Sequence, residues 1–499
     1  QSADTLLHRR DLLAAGAALS LGRLLPPGIR DADHARDARP ATPTFAAERP
    51  RPSARQLAWH RDELTMFVHF TVNTFTGKEW GDGTESPTIF RPDKLDARQW
   101  ARAAKSAGFR RMILTAKHHD GFCLWPTDTT DHGVRSSPWR DGKGDVVREF
   151  VEACRAESLG VGLYLSPWDR HERTYGDSPK YNDFYVRQLT ELLTRYGPIV
   201  ETWFDGANGE GPNGRRQEYD WPRVYRTVRE LQPGAVIFSD VGPDVRWIGN
   251  EQGTAPETNW CQVDPASVPA LGVSSPAITR ALQQGDPLGT AWRPGEADVS
   301  IRPGWFWRRE EDEKVRSVAN LIGLYFSSVG HNAGFLLNVP PTTDGLFHDT
   351  DIARLRTFGE RIAQSFATNL ARGARVSASS ARDRAHQGAL AVDPDPDTHW
   401  APARVPTPDA PAWLGLTLPA PRRIDVIALQ EAIADGQHVA NYRVLGRTAG
   451  NWKTLSWGTT IGSRKLDRID PVTVDALRLE ILSAFATPRI SMIGAYRTA

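Results

Sequence analysis

The stretch Asp145-Val-Val-Arg-Glu-Phe-Val-Glu-Ala-Cys-Arg-Ala-Glu-Ser-Leu-Gly160, followed at once by Val161-Gly-Leu-Tyr-Leu-Ser166, contains the two periods from which most of this chain is built. In its first part Val147, Phe150, Val151 and Cys154 recur at i, i+3, i+4 and i+7, which puts one apolar stripe on a helix. Asp145 is placed to cap that helix and Gly160 to stop it. The second part is apolar without polar alternation, the pattern of a strand buried on both faces in a helix-covered parallel sheet.

The same alternation extends in both directions. Strand-like runs are expected at 66–71, 111–116, 161–166, 199–204, 235–239 and 335–339. Helix patterns fall at 96–108, 145–160, 181–196 and 221–231. Sustained alternation of this kind predicts an α/β fold, a (β/α)8 TIM-like barrel, over residues 51–350. No Gly-x-Gly-x-x-Gly follows the first strand, which argues against a dinucleotide-binding sheet. A helix pattern at 351–368 leads into a different text, with short alternating runs at 413–418, 424–429, 442–446 and 477–481. That spacing predicts a β-sandwich over 371–499, with 351–370 as a linking helix.

Residues 1–50 read as a leader. Arg9-Arg10-Asp11-Leu12-Leu13 precedes a short, weakly apolar stretch interrupted by Arg23, too short to span a bilayer. It is similar to a twin-arginine export signal, so a periplasmic or secreted bacterial protein is expected. The 61 Lys+Arg residues nearly balance the 60 Asp+Glu, so no net field favours nucleic acid or an acidic membrane. Cys123, Cys154 and Cys261 make neither a disulfide framework nor a zinc site, and Cys154 reads as a small core residue. No cofactor is expected. Many of the 17 tryptophans stand beside His, Asp or Gly; their flat faces suit sugar rings, although packing accounts for most of them.

On a barrel, chemistry collects where strands end on the C-terminal face. The first strand ends at His69 and the second in Lys117-His118-His119-Asp120-Gly121-Phe122. The third carries Tyr164, and the fourth carries Trp203 and delivers Asp205. His118, His119 and Asp120 could ligate a metal, but neighbouring strand residues point to opposite faces, so both imidazoles reach one ion only if the chain has turned. A non-catalytic sugar-binding protein is the other rival. A pair of candidate carboxyl groups, Asp205 and a glutamate beyond it, argues for glycoside hydrolysis instead.

Two motifs, His118-His119-Asp120-Gly121-Phe122 and Trp203-Phe204-Asp205-Gly206, resemble glycoside hydrolase family 29, the α-L-fucosidases. The resemblance extends through Val68-His69-Phe70, Glu79-Trp80-Gly81, Ser239–Pro243, Arg302–Phe306 and Leu336–Pro341, in order, over about residues 55–345. It implies a retaining enzyme with Asp205 as nucleophile. Glu251, in Trp247-Ile-Gly-Asn-Glu251, is the implied acid/base, with Glu257 as runner-up and Glu210 third. His69, His118, His119 and Glu79 would bind fucose hydroxyls, and Trp80, Tyr164, Trp203 and Trp305 would wall the ring and its methyl group. Gly209–Gly214 and the Glu251 segment resemble the subgroup acting on α-1,3/1,4-linked fucose of branched, Lewis-type glycans, the alternative being broad specificity. The implied partner is a fucosylated oligosaccharide. Leu390–Trp400 resembles the discoidin-like jelly roll found beside many glycosidases.

Overall fold

The structure, a computed structural model, describes residues 49–268 and 275–498. The expected export signal lies outside the described residues. Eight parallel strands close into a barrel: β1 (Leu64–Val68), β2 (Arg111–Lys117), β3 (Gly160–Leu165), β4 (Glu201–Trp203), β5 (Val236–Ser239), β6 (Val245–Trp247), β7 (Gly295–Ser300) and β8 (Gly334–Asn338). Pairing of Leu64 with Phe335 through Phe67 with Asn338 seals β1 to β8.

Around it lie α1 (Ala54–Asp62), α2 (Ala97–Ser106), α3 (Val146–Ala156), α4 (Ser178–Arg195), α5 (Trp221–Leu231), α6 (Pro276–Gln284), α7 (Val318–Ser327) and α8 (Asp349–Phe366). Helix α3 buries its expected stripe together with Val146 and Ala153. The Cys154 thiol packs 3.9 Å from the Met112 sulfur. Each large aliphatic or aromatic side chain buried this way contributes about 1.5–3 kcal/mol. Asp145 caps α3 by accepting from Arg148 N at 2.8 Å. Gly160 does not end it: the helix stops at Ala156, Ser158 takes the left-handed turn at φ 55°, and Gly160 opens β3.

Two departures from the expected barrel matter for the site. Strands β6 and β7 interrupt apolar text with Arg246, Glu296 and Asp298, so no continuous apolar run marks them. Strands β5 and β6 are joined only by 240–244, with no helix between them, so one position in the helical layer is missing.

Helix α8 is part of the barrel rather than a free link. Its Leu355 and Phe358 are buried in the core that lies between barrel and helices. Gly359 lies so close to Ala107 at the end of α2 that a Cβ there would come within 2.6 Å of the Ala107 Cα. Asp351 of the same helix pairs with the fully buried Arg302 guanidinium at 2.9 Å.

The C-terminal domain is antiparallel: β9 (Arg375–Ala378), β10 (Ala412–Glu431), β11 (Val439–Thr448), β12 (Asn451–Gly458), β13 (Lys465–Ala484) and β14 (Ile490–Tyr496). The order is β9-β10-β13-β11-β12, with β14 on β10. The runs expected at 413–418 and 424–429 belong to one 20-residue strand, β10, whose register against β13 shifts between Thr417 and Arg422. Such shifts bend long strands over a core, here Trp400, Leu414, Leu416, Ile427, Leu479 and Ile493 among others. This is the expected β-sandwich, and Trp400 serves it as core.

The two domains are laced together. Asn332 N donates to Arg464 O at 3.0 Å, and Leu466 N donates to Gly330 O at 3.0 Å. Gln437 accepts from Cys261 N at 2.8 Å through its side chain and from Gln262 Nε2 at 3.0 Å through its carbonyl.

Candidate active site

A cavity of about 160 Å³ opens at the C-terminal ends of the barrel strands, lined by His69, Glu79, Trp80, His118, His119, Trp203, Asp205, Glu251, Asp298 and Trp305 among others. Strand β4 ends at Trp203, and Asp205 follows two residues on, 5% exposed. Its carboxylate is held from two sides. Tyr164 donates its hydroxyl to Oδ2 at 3.1 Å, and Ala207 N donates to Oδ1 at 2.7 Å. Gly206 lets the Asp240 carboxylate come close: a Cβ there would lie 1.8 Å from one of its oxygens, so any larger residue would displace that side chain.

The imidazoles are oriented by networks whose donor order can be worked out. Ser166 donates its hydroxyl to Trp168 O at 2.6 Å, so at 2.7 Å from His119 Nδ1 it must accept, and Nδ1 carries hydrogen. His119 Nε2 then lies 4.0 Å from Asp205 Oδ2. Asn338 works similarly on His69. Its amide nitrogen donates to Trp305 O at 2.8 Å, so its oxygen accepts from His69 N at 3.2 Å and from Nδ1 at 2.9 Å. His118 and His119 both line the cavity because β2 has ended at Lys117 and the chain has turned, Gly121 N donating to His118 O at 3.0 Å. Their rings lie 4.0 Å apart.

Asp120 is turned away to receive Thr71 Oγ1 at 2.8 Å and Phe122 N at 2.7 Å, and burial raises its pKa to about 7. Among the described residues no group of three or more His, Cys, Asp or Glu is arranged to hold a metal ion.

The remaining expected positions divide between the cavity wall and places outside it. Tyr164 is fully buried and does not line the cavity; it supports the Asp205 carboxylate from beneath. Glu79 reaches the cavity wall, but Oε1 receives Trp305 N at 2.5 Å and Oε2 receives Arg308 Nη2 at 2.5 Å. Burial raises its pKa against the pull of Arg308. Trp203 is stacked on Phe238 with ring centres 4.2 Å apart, and its indole N–H donates to Glu296 at 3.0 Å. Glu251 lines the cavity, in the loop after β6. Glu257, the runner-up, lines a different cavity against the C-terminal domain, and Glu210 is exposed outside the site.

Sequence reasoning missed Asp298, whose carboxylate receives the Trp247 indole N–H at 2.7 Å, and Arg316, both of which line the cavity. The signal was the alternation Glu296-Ala-Asp298-Val-Ser300, which puts three polar residues on one face of a strand.

A closed parallel barrel with a carboxylate at the end of one strand, a second in the same cavity, three imidazoles and tryptophan walls defines a glycoside hydrolase. Residues 46–364 match the Alpha-L-fucosidase family, and residues 375–494 match the F5/8 type C domain family. "Alpha-L-fucosidase 1" of Arabidopsis thaliana is 44% identical over 454 residues, 90% of this chain and 87% of that protein. A solved structure titled "Crystal structure of SpGH29" is 40% identical, covers 90% of this chain and 98% of its own, and superimposes with a TM-score of 0.85. A Ruminococcus gnavus GH29 fucosidase solved in complex with fucose is 33% identical, with a TM-score of 0.82 and coverage of 90% and 95%. The chain belongs to the α-L-fucosidase family, joined to an F5/8 type C domain.

Proposed function

We propose that this α-L-fucosidase is a retaining, exo-acting enzyme that removes α-1,3- or α-1,4-linked L-fucose from branched, Lewis-type glycans. Asp205 attacks the anomeric carbon while Glu251 gives its proton to the departing glycosidic oxygen. Water, losing a proton to Glu251, then opens the fucosyl–Asp205 ester and releases fucose. The observation that carries this reading is the Asp205 carboxylate, held between the Tyr164 hydroxyl and Ala207 N in the cavity that Glu251 also lines. His119, with hydrogen on Nδ1, and His69, likewise fixed by Asn338, serve the sugar hydroxyls through Nε2, as does His118. Trp80, Trp203 and Trp305 enclose the ring and its methyl corner.

The linkage preference rests on the likeness of Gly209–Gly214 and Trp247–Glu251 to the restricted subgroup, and export on Arg9-Arg10 and the segment after them. The decisive test is azide rescue. Asp205→Ala, inactive alone, should form a fucosyl azide when azide is added, and recovery of free fucose without azido-sugar would reject the nucleophile. Fucose released from a Lewis-type trisaccharide faster than from an aryl fucoside supports the restricted specificity; the reverse order supports the broad one.

A further inference from the structure

A second cavity, about 490 Å³, opens where the barrel meets the C-terminal domain and shares no lining residue with the one around Asp205. Its walls include Glu257 and His331 from the barrel and Trp457, Lys465, Asp467 and Arg468 from the sandwich. We infer that this interdomain cleft is a second carbohydrate-binding site, taking a neutral glycosyl residue that offers one apolar face and neighbouring hydroxyls.

Three observations carry it. Trp457 stands on the edge strand β12 with 72% of its surface exposed, although tryptophan seldom stays in water without a partner. A flat indole at the mouth of a polar cleft is the surface on which a sugar's C–H face stacks. Secondly, one ammonium and one carboxylate in the cleft, those of Lys465 and Asp467, are largely withdrawn from water, while Glu257 and Arg468 are exposed. Lys465 is 3% exposed, yet its ammonium is 4.0 Å from the nearest Asp467 oxygen, beyond hydrogen-bond reach. The Asp467 carboxylate is steadied by the Tyr442 hydroxyl, 2.9 Å from both of its oxygens. A carboxylate and an ammonium side by side accept from one hydroxyl and donate to the next, which is what a vicinal diol requires. His331 adds to the set: its Nδ1 is committed to Ala255 O at 2.7 Å, which leaves Nε2 as an acceptor in the neutral ring.

Thirdly, the two walls are tied to each other. Thr258 and Thr459 hydroxyls meet at 2.6 Å, and Thr460 donates to Glu257 O at 2.9 Å, so the barrel side and the sandwich side are fixed to each other. A site assembled beforehand loses little entropy on binding. Acids and bases balance around the cleft, which favours a neutral sugar over an anion.

The test uses the full-length wild-type chain with saturating L-fucose to occupy the barrel site. Methyl β-D-galactoside, N-acetyl-D-glucosamine and lactose are titrated calorimetrically and by saturation-transfer NMR. At least one should bind with one site per chain, and Trp457→Ala should weaken it about tenfold or more. Asp467→Asn should weaken it comparably; if that variant fails to fold, the exposed Trp457→Ala decides alone. Release of fucose from a small soluble trisaccharide should be unchanged by Trp457→Ala. Absence of binding by all three sugars, equal affinity in Trp457→Ala, or inorganic phosphate binding in their place would overturn the assignment.

Discussion

The cavity at the barrel mouth has two halves that are built differently. On one side Asp205, His119 and His69 lie within two residues of the ends of β4, β2 and β1, and the hydroxyl or amide groups orienting them stand on β3, β8 or the turn after β3. On the other side Glu251 and the Glu79–Trp305–Arg308 clasp are carried by loops, Glu251 four residues past β6. Strand ends inherit the position of the sheet, so Asp205 and the imidazoles beside it are placed by the hydrogen-bonded barrel itself. Loops can change length without disturbing it, so the half that carries Glu251 and the clasp can vary while the strand-borne half stays in place.

This contrast can be broken by experiment. The largest effect is expected at the strand-borne carboxylate: Asp205→Asn should lower kcat/KM on the order of 10⁴-fold or more on every fucoside. A residual activity within tenfold of wild type would remove the distinction between the halves. Glu251→Gln should cost on the order of 10²–10⁴-fold on natural glycans, where the leaving sugar needs a proton, and much less with an activated aryl leaving group. Equal losses on both substrates would argue that Glu251 does not deliver the proton. Glu257→Gln should leave both rates close to wild type.

Next in size is Asn338→Ala. It frees the His69 ring and leaves Trp305 O without its donor, at about 1–3 kcal/mol, so kcat/KM should fall about 10–100-fold. Asn338→Asp, which still accepts from His69, should lose less than Asn338→Ala. If the alanine variant is fully active, the orienting network is dispensable.

The smallest effect concerns pH. Burial raises Asp120 to about 7 from an unfolded value near 4, so the folded state favours the protonated acid. Its stabilising contribution is complete below about pH 4 and is lost as pH rises through about 7. Asp120→Asn should therefore gain in Tm relative to wild type between pH 5 and pH 8. A constant Tm difference across that range would show that Asp120 does not titrate there.

The residues that follow apolar strands were the ones legible from the chain's own periodicity. The apolar runs before His69, Lys117 and Asp205 announced buried strands, and the helix register Val147-Phe150-Val151-Cys154 fixed the intervening layer. What escaped was polar strand: Glu296, Asp298 and Ser300 face a lumen whose partners, the Trp203 and Trp247 indoles, come from other strands. Local text cannot reveal a partner that arrives from 50 or more residues away. The same limit made Tyr164 look like a sugar contact, since only the assembled sheet sets it beneath Asp205. It also left Glu251 and Glu257 as rivals, although they face different cavities.

The lacing of barrel to sandwich has a consequence for how the molecule comes apart. Val426, Ala428, Leu466 and Tyr496 of the sandwich share one apolar core with Phe326 and Phe358 of the barrel. Gln437 reaches across to Cys261 N, and the backbone ladder runs from Gly330 and Asn332 to Arg464 and Leu466. Unfolding the sandwich alone would strip the barrel of those partners and expose greasy surface beside α7 and α8. Heating should therefore give one cooperative calorimetric peak in place of two, and a chain cut after residue 370 should clump where the intact protein stays dispersed.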